Sequence, residues 1–282
     1  RKPLAPHTRE AFASLLEELG GLQEGCTEEG ENKETNNDIN TAAGTTVQAI
    51  IRSKHPGGII LDSGCGTGRS TKLLAKMHPD HLVIGIDRSF VRLTKAKSNH
   101  QRVVVSQYEN SATVSKRAYC HSIADNAFLV RAELVDFWRC LLEHDADFWT
   151  DRITHHYMLY PNPYPTQQRL SQRWYAHASF PLLLQISGTQ ANSKLVVRSN
   201  WEGYLKEFAK SIEIAHEFYE QEKETAHVQN LALPYLQSAR KGPVERTDKT
   251  VAWTNFEAKY DKVGESTYEL ELVRNNYCED NK

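Results

Sequence analysis

Cysteine is scarce in this chain of 282 residues, and its few cysteines form no recognisable motif. The five of them are Cys26, Cys65, Cys120, Cys140 and Cys278. No two stand in a C-x-x-C pair, so the spacing indicates neither a zinc site nor a redox motif. An odd and scattered set also fits a reducing intracellular compartment, the cytoplasm or the nucleus, better than a disulfide framework.

Excess positive charge and long apolar runs are missing as well. The chain has 34 Lys and Arg against 36 Asp and Glu, a formal net charge of −2. Proteins that hold nucleic acid through bulk electrostatics are usually basic, so any such contact here must come from local basic patches. No apolar stretch approaches the roughly 20 residues that cross a membrane, and the first residues carry no signal-peptide core. We therefore expect no membrane segment.

The sequence does contain short apolar runs that alternate with amphipathic segments. Short apolar runs predict strands, and apolar residues spaced three and four apart predict helices. The predicted strands are residues 58–62, 82–87, 127–131, 153–160, 194–198, 251–256 and 267–273. The predicted helices are residues 7–19, 41–53, 69–77, 90–98, 171–186 and 201–224, with one more that contains residues 134–141.

This alternation predicts an α/β fold, a mostly parallel seven-stranded sheet with helices on both faces. The last two predicted strands, 251–256 and 267–273, are typical of a C-terminal antiparallel hairpin. We expect the main domain to span residues 58–282, with the polar stretch 100–125 as an insertion. Residues 1–57 precede it as N-terminal helices and an acidic linker.

A glycine-rich turn directly follows the first predicted strand. Gly64, Gly66 and Gly68 form G-x-G-x-G between that strand and a helix. Glycine permits positive φ and lets a ligand approach the main chain, and open α/β sheets bind ligands at the carboxyl ends of their strands. Asp87 ends the second strand, where its carboxylate can accept hydrogen bonds from ribose hydroxyls. A simple tight turn and a dinucleotide site are the alternatives, although the latter would favour G-x-G-x-x-G.

Asp62, two residues before the first glycine, completes the order D-x-G-x-G-x-G. Together with an acid at the end of the second strand, this order resembles class I methyltransferases, in which the first acid helps to hold the methionine end of S-adenosylmethionine. The resemblance implies a Rossmann-like class I methyltransferase fold. It also implies S-adenosylmethionine as the cofactor and S-adenosylhomocysteine as the product.

Four further stretches resemble the tRNA (guanine-N7-)-methyltransferase family, and they follow the family's order. Residues 160–165 resemble its F-P-D-P-W-P segment, and residues 199–204 resemble its T-D-W-E-x-Y segment. Residues 131–139 resemble the acid-bearing stretch after the third strand, and residues 254–257 resemble its T-x-F-E. The resemblance spans roughly residues 58–273. The family transfers a methyl group to N7 of a guanosine in tRNA.

The resemblance implies roles for individual residues. The implied cofactor-binding residues are Asp62, Gly64, Cys65, Gly66, Gly68, Asp87, Arg88, Glu133 and Leu134. The implied substrate-binding residues are Asn162, Tyr164, Arg169, Arg173, Asn200, Thr254 and Glu257. Asn162 is also the catalytic candidate, although guanine N7 already has an available lone pair, so catalysis can depend on orientation rather than on a strong base. We expect no metal site, because no further ligands can be placed beside His155 and His156.

Several positions differ from the family and keep other functions open. Asn162 and Asn200 stand where the family has acids, and Tyr164 stands where it has Trp. The family's dense basic run is reduced to two cations in residues 166–173. The alternatives are a methyltransferase with a small-molecule, protein or exocyclic-amine acceptor, and a non-catalytic scaffold that keeps the fold. As a partner we expect tRNA, with the chain acting as a monomer or beside an accessory subunit, and no membrane.

Overall fold

The computed structural model of this protein describes residues 2–20, 47–95, 103–104, 119–225, 236–238 and 242–274. In this part of the chain one sheet of ten strands forms the centre of the molecule. The strands are β1 (Gly58–Ser63), β2 (His81–Asp87), β3 (Val103–Val104), β4 (Cys120–Ala124), β5 (Ala127–Arg131), β6 (Ile153–Leu159), β7 (Lys194–Ser199), β8 (Leu236–Ser238), β9 (Val244–Glu245) and β10 (Tyr268–Arg274).

The strands follow the order β3-β4-β5-β2-β1-β6-β7-β10-β8, and β9 pairs with β10. The five central strands, from β5 to β7, pair in parallel. β10 runs antiparallel to β7, β8 and β9, and β4 runs antiparallel to β3 and β5. The mostly parallel sheet with antiparallel pairing at the C-terminal end is confirmed. The described sheet has ten strands and not seven, because β3 and β4, which lie in the predicted insertion, and also β8 and β9 join it, while residues 251–256 form no strand.

Helices cover both faces of the sheet. They are α1 (Pro6–Gly20), α2 (residues 47–54), α3 (Arg69–Met77), α4 (Phe90–Leu93), α5 (Leu134–Arg152), α6 (Phe180–Ile186), α7 (Glu202–Thr225) and α8 (Asn255–Val263). Alternate residues of β1 enter different cores: Ile59 and Leu61 pack with α1, α5 and α7, whereas Ile60 packs with α3. Nowhere in the described segments is a helix both long and apolar enough to cross a membrane.

The N-terminal helix α1 packs on the same core as the sheet. Phe12 and Leu15 are buried in that core, and the Phe12 ring meets the edge of the Phe137 ring of α5 at a centroid distance of 5.8 Å. The backbone N–H of Ala5 donates to the Asp136 carboxylate over 3.0 Å. The described part of residues 1–57 therefore shares its core with the sheet, and the acidic linker predicted within that segment lies outside the described residues.

Three predicted elements differ from the structure. Residues 251–256, predicted as a strand, form a loop and the start of α8, because the Thr254 side chain accepts from the backbone N–H of Glu257 over 3.1 Å and caps the helix. The predicted helix 171–186 is divided into two short 3-10 helices, Gln167–Gln172 and Trp174–Ala176, and the seven-residue α6. The helix predicted for residues 90–98 is assigned only as Phe90–Leu93 in the described chain.

Candidate functional site

The carboxyl ends of the five parallel strands surround a cavity of about 610 Å³. Each strand contributes residues at or just beyond its last position. These are Ser63 and Gly64 after β1, Asp87 and Arg88 after β2, Glu133 and Leu134 after β5, Leu159 and Tyr160 after β6, and Asn200 after β7. The cavity thus lies where open α/β sheets bind their ligands.

The glycine-rich turn forms one end of this cavity and leaves its ligand side open. The backbone N–H groups of Gly64 and Cys65 both donate to the Ile86 carbonyl, over 2.7 and 3.0 Å, and this ties the turn to β2. Gly64 and Gly66 have φ values of 86° and 61°, and a Cβ on either would meet no atom within 4 Å. A side chain at either position would be strained, and at Gly64, the glycine of the turn that lines the cavity, it would occupy space that a ligand can use.

Gly68 serves packing instead. Its φ is 73°, and a Cβ would lie 2.7 Å from the Leu129 side chain of β5. Glycine at this position therefore allows α3 to begin close against the sheet. Cys65 is also turned into the core, and burial raises the pKa of its thiol well above the ordinary value. Neither Gly68 nor Cys65 is among the residues that line the cavity.

Asp62 lies behind the turn and not on the cavity wall. Ser70 Oγ and Thr71 Oγ1 donate to its Oδ2 over 2.6 and 2.7 Å, which joins β1 to the start of α3. Its Oδ1 is buried and has no hydrogen-bond partner in the described structure. Burial raises the pKa of Asp62 to about 6, although the two hydroxyl donors act in the opposite direction.

Asp87 lies on the wall with part of its acceptor capacity in use. Its Oδ2 accepts from the Gly66 N–H over 3.0 Å, and its Oδ1 accepts from the Ser89 N–H over 2.7 Å and pairs with Arg92 at 3.1 Å. A carboxylate has about four acceptor positions, so one remains for a ligand hydroxyl. Arg92 also lines the cavity, and nothing in the sequence pattern had indicated it.

The loop from Tyr160 to Pro165 forms the opposite wall and has an unusual backbone. Tyr160 and Tyr164 adopt left-handed φ values of 57° and 42°, which side chains other than glycine rarely take. The backbone N–H of Tyr164 donates to Asn162 Oδ1 over 3.2 Å, and the Arg169 guanidinium lies 4.8 Å from the centre of the Tyr164 ring. Strain of this kind persists where surrounding contacts impose it and is common at functional sites. Asn162, Tyr164 and Asn200 all line the cavity.

Arg173, expected to contact substrate, is buried and engaged within the protein. Its guanidinium pairs with Glu207 of α7 at 2.5 Å and lies 4.9 Å from the Trp201 ring centre, and its Nε donates to the Tyr164 carbonyl over 3.2 Å. The predicted substrate contact does not fit this placement. Arg173 instead holds the Tyr160–Pro165 loop against α7.

Glu257 and Thr254 also lie away from the cavity wall. Glu257 is fully buried, pairs with Arg198 at 3.0 Å and accepts from the Trp253 N–H, while Thr254 caps α8. A carboxylate without exposed surface does not fit direct contact with a substrate. These two residues therefore fix α8, the helix whose Phe256 and Tyr260 line the cavity.

Aromatic rings supply much of the wall, and apart from Tyr164 they had received no role from the sequence. The Tyr160 ring stacks with Phe256 at a centroid distance of 6.3 Å and with Tyr260 at 6.1 Å. Trp174 lines the cavity as well. Phe256 and Tyr260 could have been recognised in the sequence, because residues four apart on a helix place their rings on the same face.

Histidines lie at the other end of the strands, without a metal-binding arrangement. The rings of His78, His81 and His155 lie 5.2 to 6.0 Å apart there, whereas Nε2 of the fully buried His156 lies 2.8 Å from Ser63 Oγ at the end of β1. Within the described segments, no group of three or more His, Cys, Asp or Glu side chains could hold a metal ion.

Comparison with known sequences gives a partial match. Residues 54–112 match a family model described as a methyltransferase domain. A protein of Pseudanabaena tenuis, named uncharacterized phycocyanin operon protein W, is 49% identical over 43 residues, which is 15% of this chain and 41% of that protein. The chain thus spans less than half of the curated relative that it matches.

Solved structures provide longer but weaker similarities. A 16S rRNA (adenine(1408)-N(1))-methyltransferase from Catenulisporales acidiphilia, crystallised with its cosubstrate SAM, is 16% identical, with 88% of this chain and 96% of that chain covered and a TM-score of 0.46. An antibiotic related methyltransferase is 12% identical, with 80% and 94% covered and a TM-score of 0.45. Similarity of this size says nothing about the acceptor of the present chain. The five parallel strands, the glycine-rich turn after β1 and the antiparallel β10 between β7 and β8 make this the Rossmann-like fold of methyltransferases.

Proposed function

We propose that this chain binds S-adenosylmethionine in the cavity and transfers its methyl group to a nucleobase of RNA, with guanine N7 of tRNA as the acceptor. One observation carries the proposal: a single cavity joins the glycine-rich turn and the Asp87 carboxylate to the strained, aromatic Tyr160–Pro165 loop. The glycine-rich turn and the Asp87 carboxylate can bind a nucleoside cofactor, and the aromatic Tyr160–Pro165 loop can bind a planar ring.

The residues of the cavity fit S-adenosylmethionine. Gly64 and Gly66 leave open space beside the main chain, and Asp87 keeps an acceptor position for a ribose hydroxyl. The acids Asp87 and Glu133 suit a ligand that carries a sulfonium and an ammonium, and Leu134 and Met158 offer apolar surface to its adenine and methyl groups. When bound, this cofactor supplies an electrophilic methyl group.

The chain's own contribution to the reaction is to orient the acceptor. Guanine N7 already has a free lone pair, so no residue has to remove a proton before the transfer. Tyr160, Tyr164 and Phe256 provide aromatic surface against which a planar base can stack. Asn162 and Asn200 provide amide groups for the edge of the base. Holding the two reacting atoms in line accounts for a large part of such a rate enhancement.

Asn162 can donate hydrogen bonds through its amide, whereas the ionised acid in the family's segment can only accept them. A backbone N–H can be accepted only by the amide oxygen, so the hydrogen bond from Tyr164 fixes which end of the amide is Oδ1. The two Nδ2 protons are then available to a ligand. Asn162 therefore donates to an acceptor atom on the edge of the base, where a carboxylate would have accepted.

The test is methyl transfer to a defined tRNA transcript. Labelled S-adenosylmethionine is incubated with an unmodified transcript and with a matched transcript that contains 7-deazaguanosine, which lacks N7. We expect label only in the first, recovered as 7-methylguanosine after digestion. No incorporation by protein that still binds S-adenosylhomocysteine would contradict the tRNA acceptor, and equal incorporation into both transcripts would contradict N7 as the accepting atom.

A second candidate is a methyltransferase with an acceptor other than nucleic acid. The burial of Arg173 favours it, because this cation is held by Glu207 and is not available to a phosphate backbone. Small nucleosides in place of the transcripts distinguish the two, since transfer to them that does not respond to added salt would favour the second candidate.

A further inference from the structure

A buried row of hydrogen bonds runs from α5 through the end of β1 to the start of the loop after α6. Trp138 Nε1 donates to Ser63 Oγ over 3.2 Å, and Ser63 Oγ lies 2.8 Å from His156 Nε2. On the other side of the ring, His156 Nδ1 lies 3.2 Å from Ser187 Oγ, which donates to the Leu183 carbonyl over 2.7 Å. All four side chains are almost completely buried.

The direction of every proton in this row follows from its last member. A carbonyl only accepts, so the single Ser187 proton goes to Leu183 and the Ser187 oxygen must accept from His156 Nδ1–H. Burial lowers the pKa of His156 to about 3, so the ring is neutral and its Nε2 carries a lone pair. Ser63 therefore donates to His156 and cannot donate elsewhere.

The remaining capacity of Ser63 is that of an acceptor. A hydroxyl oxygen has two lone pairs, and Trp138 Nε1–H occupies one of them. Ser63 is also one of the residues that line the cavity, directly before Gly64 and on the side of β1 that faces Trp138. Trp138 in turn contacts Trp174 of the cavity wall at a centroid distance of 5.3 Å. Ser63 is thus a residue of the cavity wall whose hydroxyl proton is committed to His156 and whose oxygen keeps one lone pair.

We infer that Ser63 is a cofactor-binding residue whose oxygen accepts a hydrogen bond from the ammonium of S-adenosylmethionine, with His156 as the positioning residue that keeps its proton turned away. The inference rests on the proposed function. Asp87, at the end of β2, keeps one acceptor position that suits a ribose hydroxyl. The ammonium is then a donor that the amino-acid end of the ligand can offer to the end of β1. A hydrogen bond between a cation and a neutral oxygen is stronger than one between neutral groups.

The experiment compares two ligands by calorimetry on the full chain. S-adenosylhomocysteine carries the ammonium, and 5′-methylthioadenosine has the same nucleoside without the amino-acid end. We expect Ser63→Ala to weaken binding of S-adenosylhomocysteine about tenfold and to change binding of 5′-methylthioadenosine less than about twofold. Ser193→Ala is the matched control, because Ser193 is equally buried and donates to a backbone carbonyl away from the cavity. It should change neither affinity.

Two further variants test the same hydrogen bond. Ser63→Cys retains a side chain of similar size with a weak acceptor, so it should give the same ligand-specific loss if the alanine variant does not fold. His156→Phe frees the Ser63 proton and should also weaken S-adenosylhomocysteine more than 5′-methylthioadenosine. Equal losses for both ligands, or no loss, would overturn the role of Ser63. If the folded wild-type chain binds neither ligand, the proposed function fails with it.

Discussion

At the scale of single residues, burial makes the ionisation of Asp62 unfavourable in the folded protein. It is buried, one of its oxygens has no partner in the described structure, and its pKa is raised to about 6. The unfolded value is about 3.9, so between these two values the folded chain binds more protons than the unfolded chain. The free energy of unfolding contributed by Asp62 is therefore full below pH 4 and falls as the pH rises through 6.

Asp62→Asn removes this dependence, because the amide stays neutral while its oxygen can still accept from Ser70 and Thr71. Between pH 4 and pH 7 we expect the stability difference between variant and wild type to move in favour of the variant by about 3 kcal/mol. Urea denaturation at several pH values measures it. Parallel pH profiles for the two proteins would contradict the raised pKa.

The residue types of the site could be read from the sequence more reliably than their contacts. The spacing of Asp87 after the glycine-rich turn placed it at the end of β2, and the structure puts it on the cavity wall. Arg173 and Glu257 were predicted to contact substrate, yet the structure buries them against Glu207 and Arg198, which lie 34 and 59 residues away. No local pattern indicates that a charged side chain will meet an opposite charge at such a separation and be buried by it.

At the scale of elements, α8 is held by a buried network of charges. Arg198 pairs with Glu257 at 3.0 Å and with Glu269 at 2.6 Å, and its guanidinium lies 3.9 Å from the centre of the Trp253 ring. Removing one partner of a buried ion pair leaves the other charge buried without compensation, which destabilises the fold. The network thus fixes the helix that brings Phe256 to the cavity.

Glu257→Gln should lower the free energy of unfolding by about 3 kcal/mol. The matched control is Glu245→Gln on β9, whose side chain is exposed and which should change stability by less than about 0.5 kcal/mol. Denaturant unfolding gives both values. A Glu257 variant of unchanged stability but weakened acceptor binding would instead support the direct substrate contact that the family resemblance implies.

Strands with strong apolar patterns could be predicted from the sequence, whereas the capped start of α8 and the strand β4 in a polar stretch were missed. The runs 58–62, 82–87 and 127–131 became β1, β2 and β5, because strands buried on both faces of a parallel sheet are almost wholly apolar. The start of α8 was missed although Thr254 and Glu257 have the T-x-x-E spacing of a capping box. β4, which pairs antiparallel with both β3 and β5, was missed because it lies within a polar stretch.

At the scale of the whole molecule, the fold could be predicted from the sequence, whereas the net charge left the substrate open. The parallel sheet could be anticipated, since an alternation of strands and helices predicts such a sheet with a ligand at its carboxyl edge. The substrate could not, because a net charge of −2 leaves affinity for RNA to a few local cations. Arg88 and Arg169 are exposed on the cavity wall or beside it, whereas Arg173 is buried.

If tRNA is the substrate, Arg88 and Arg169 carry much of its salt-dependent binding. Each phosphate contact contributes roughly 0.7 to 0.9 to the slope of log K against log salt concentration, so Arg88→Ala and Arg169→Ala should each reduce the slope by about that amount. Lys210→Ala is the control, because Lys210 is exposed on α7 and pairs only locally with Glu213. Fluorescence titrations of labelled tRNA at several salt concentrations give the slopes. Slopes unchanged in both arginine variants would contradict phosphate contacts by Arg88 and Arg169 and would favour the acceptor other than nucleic acid.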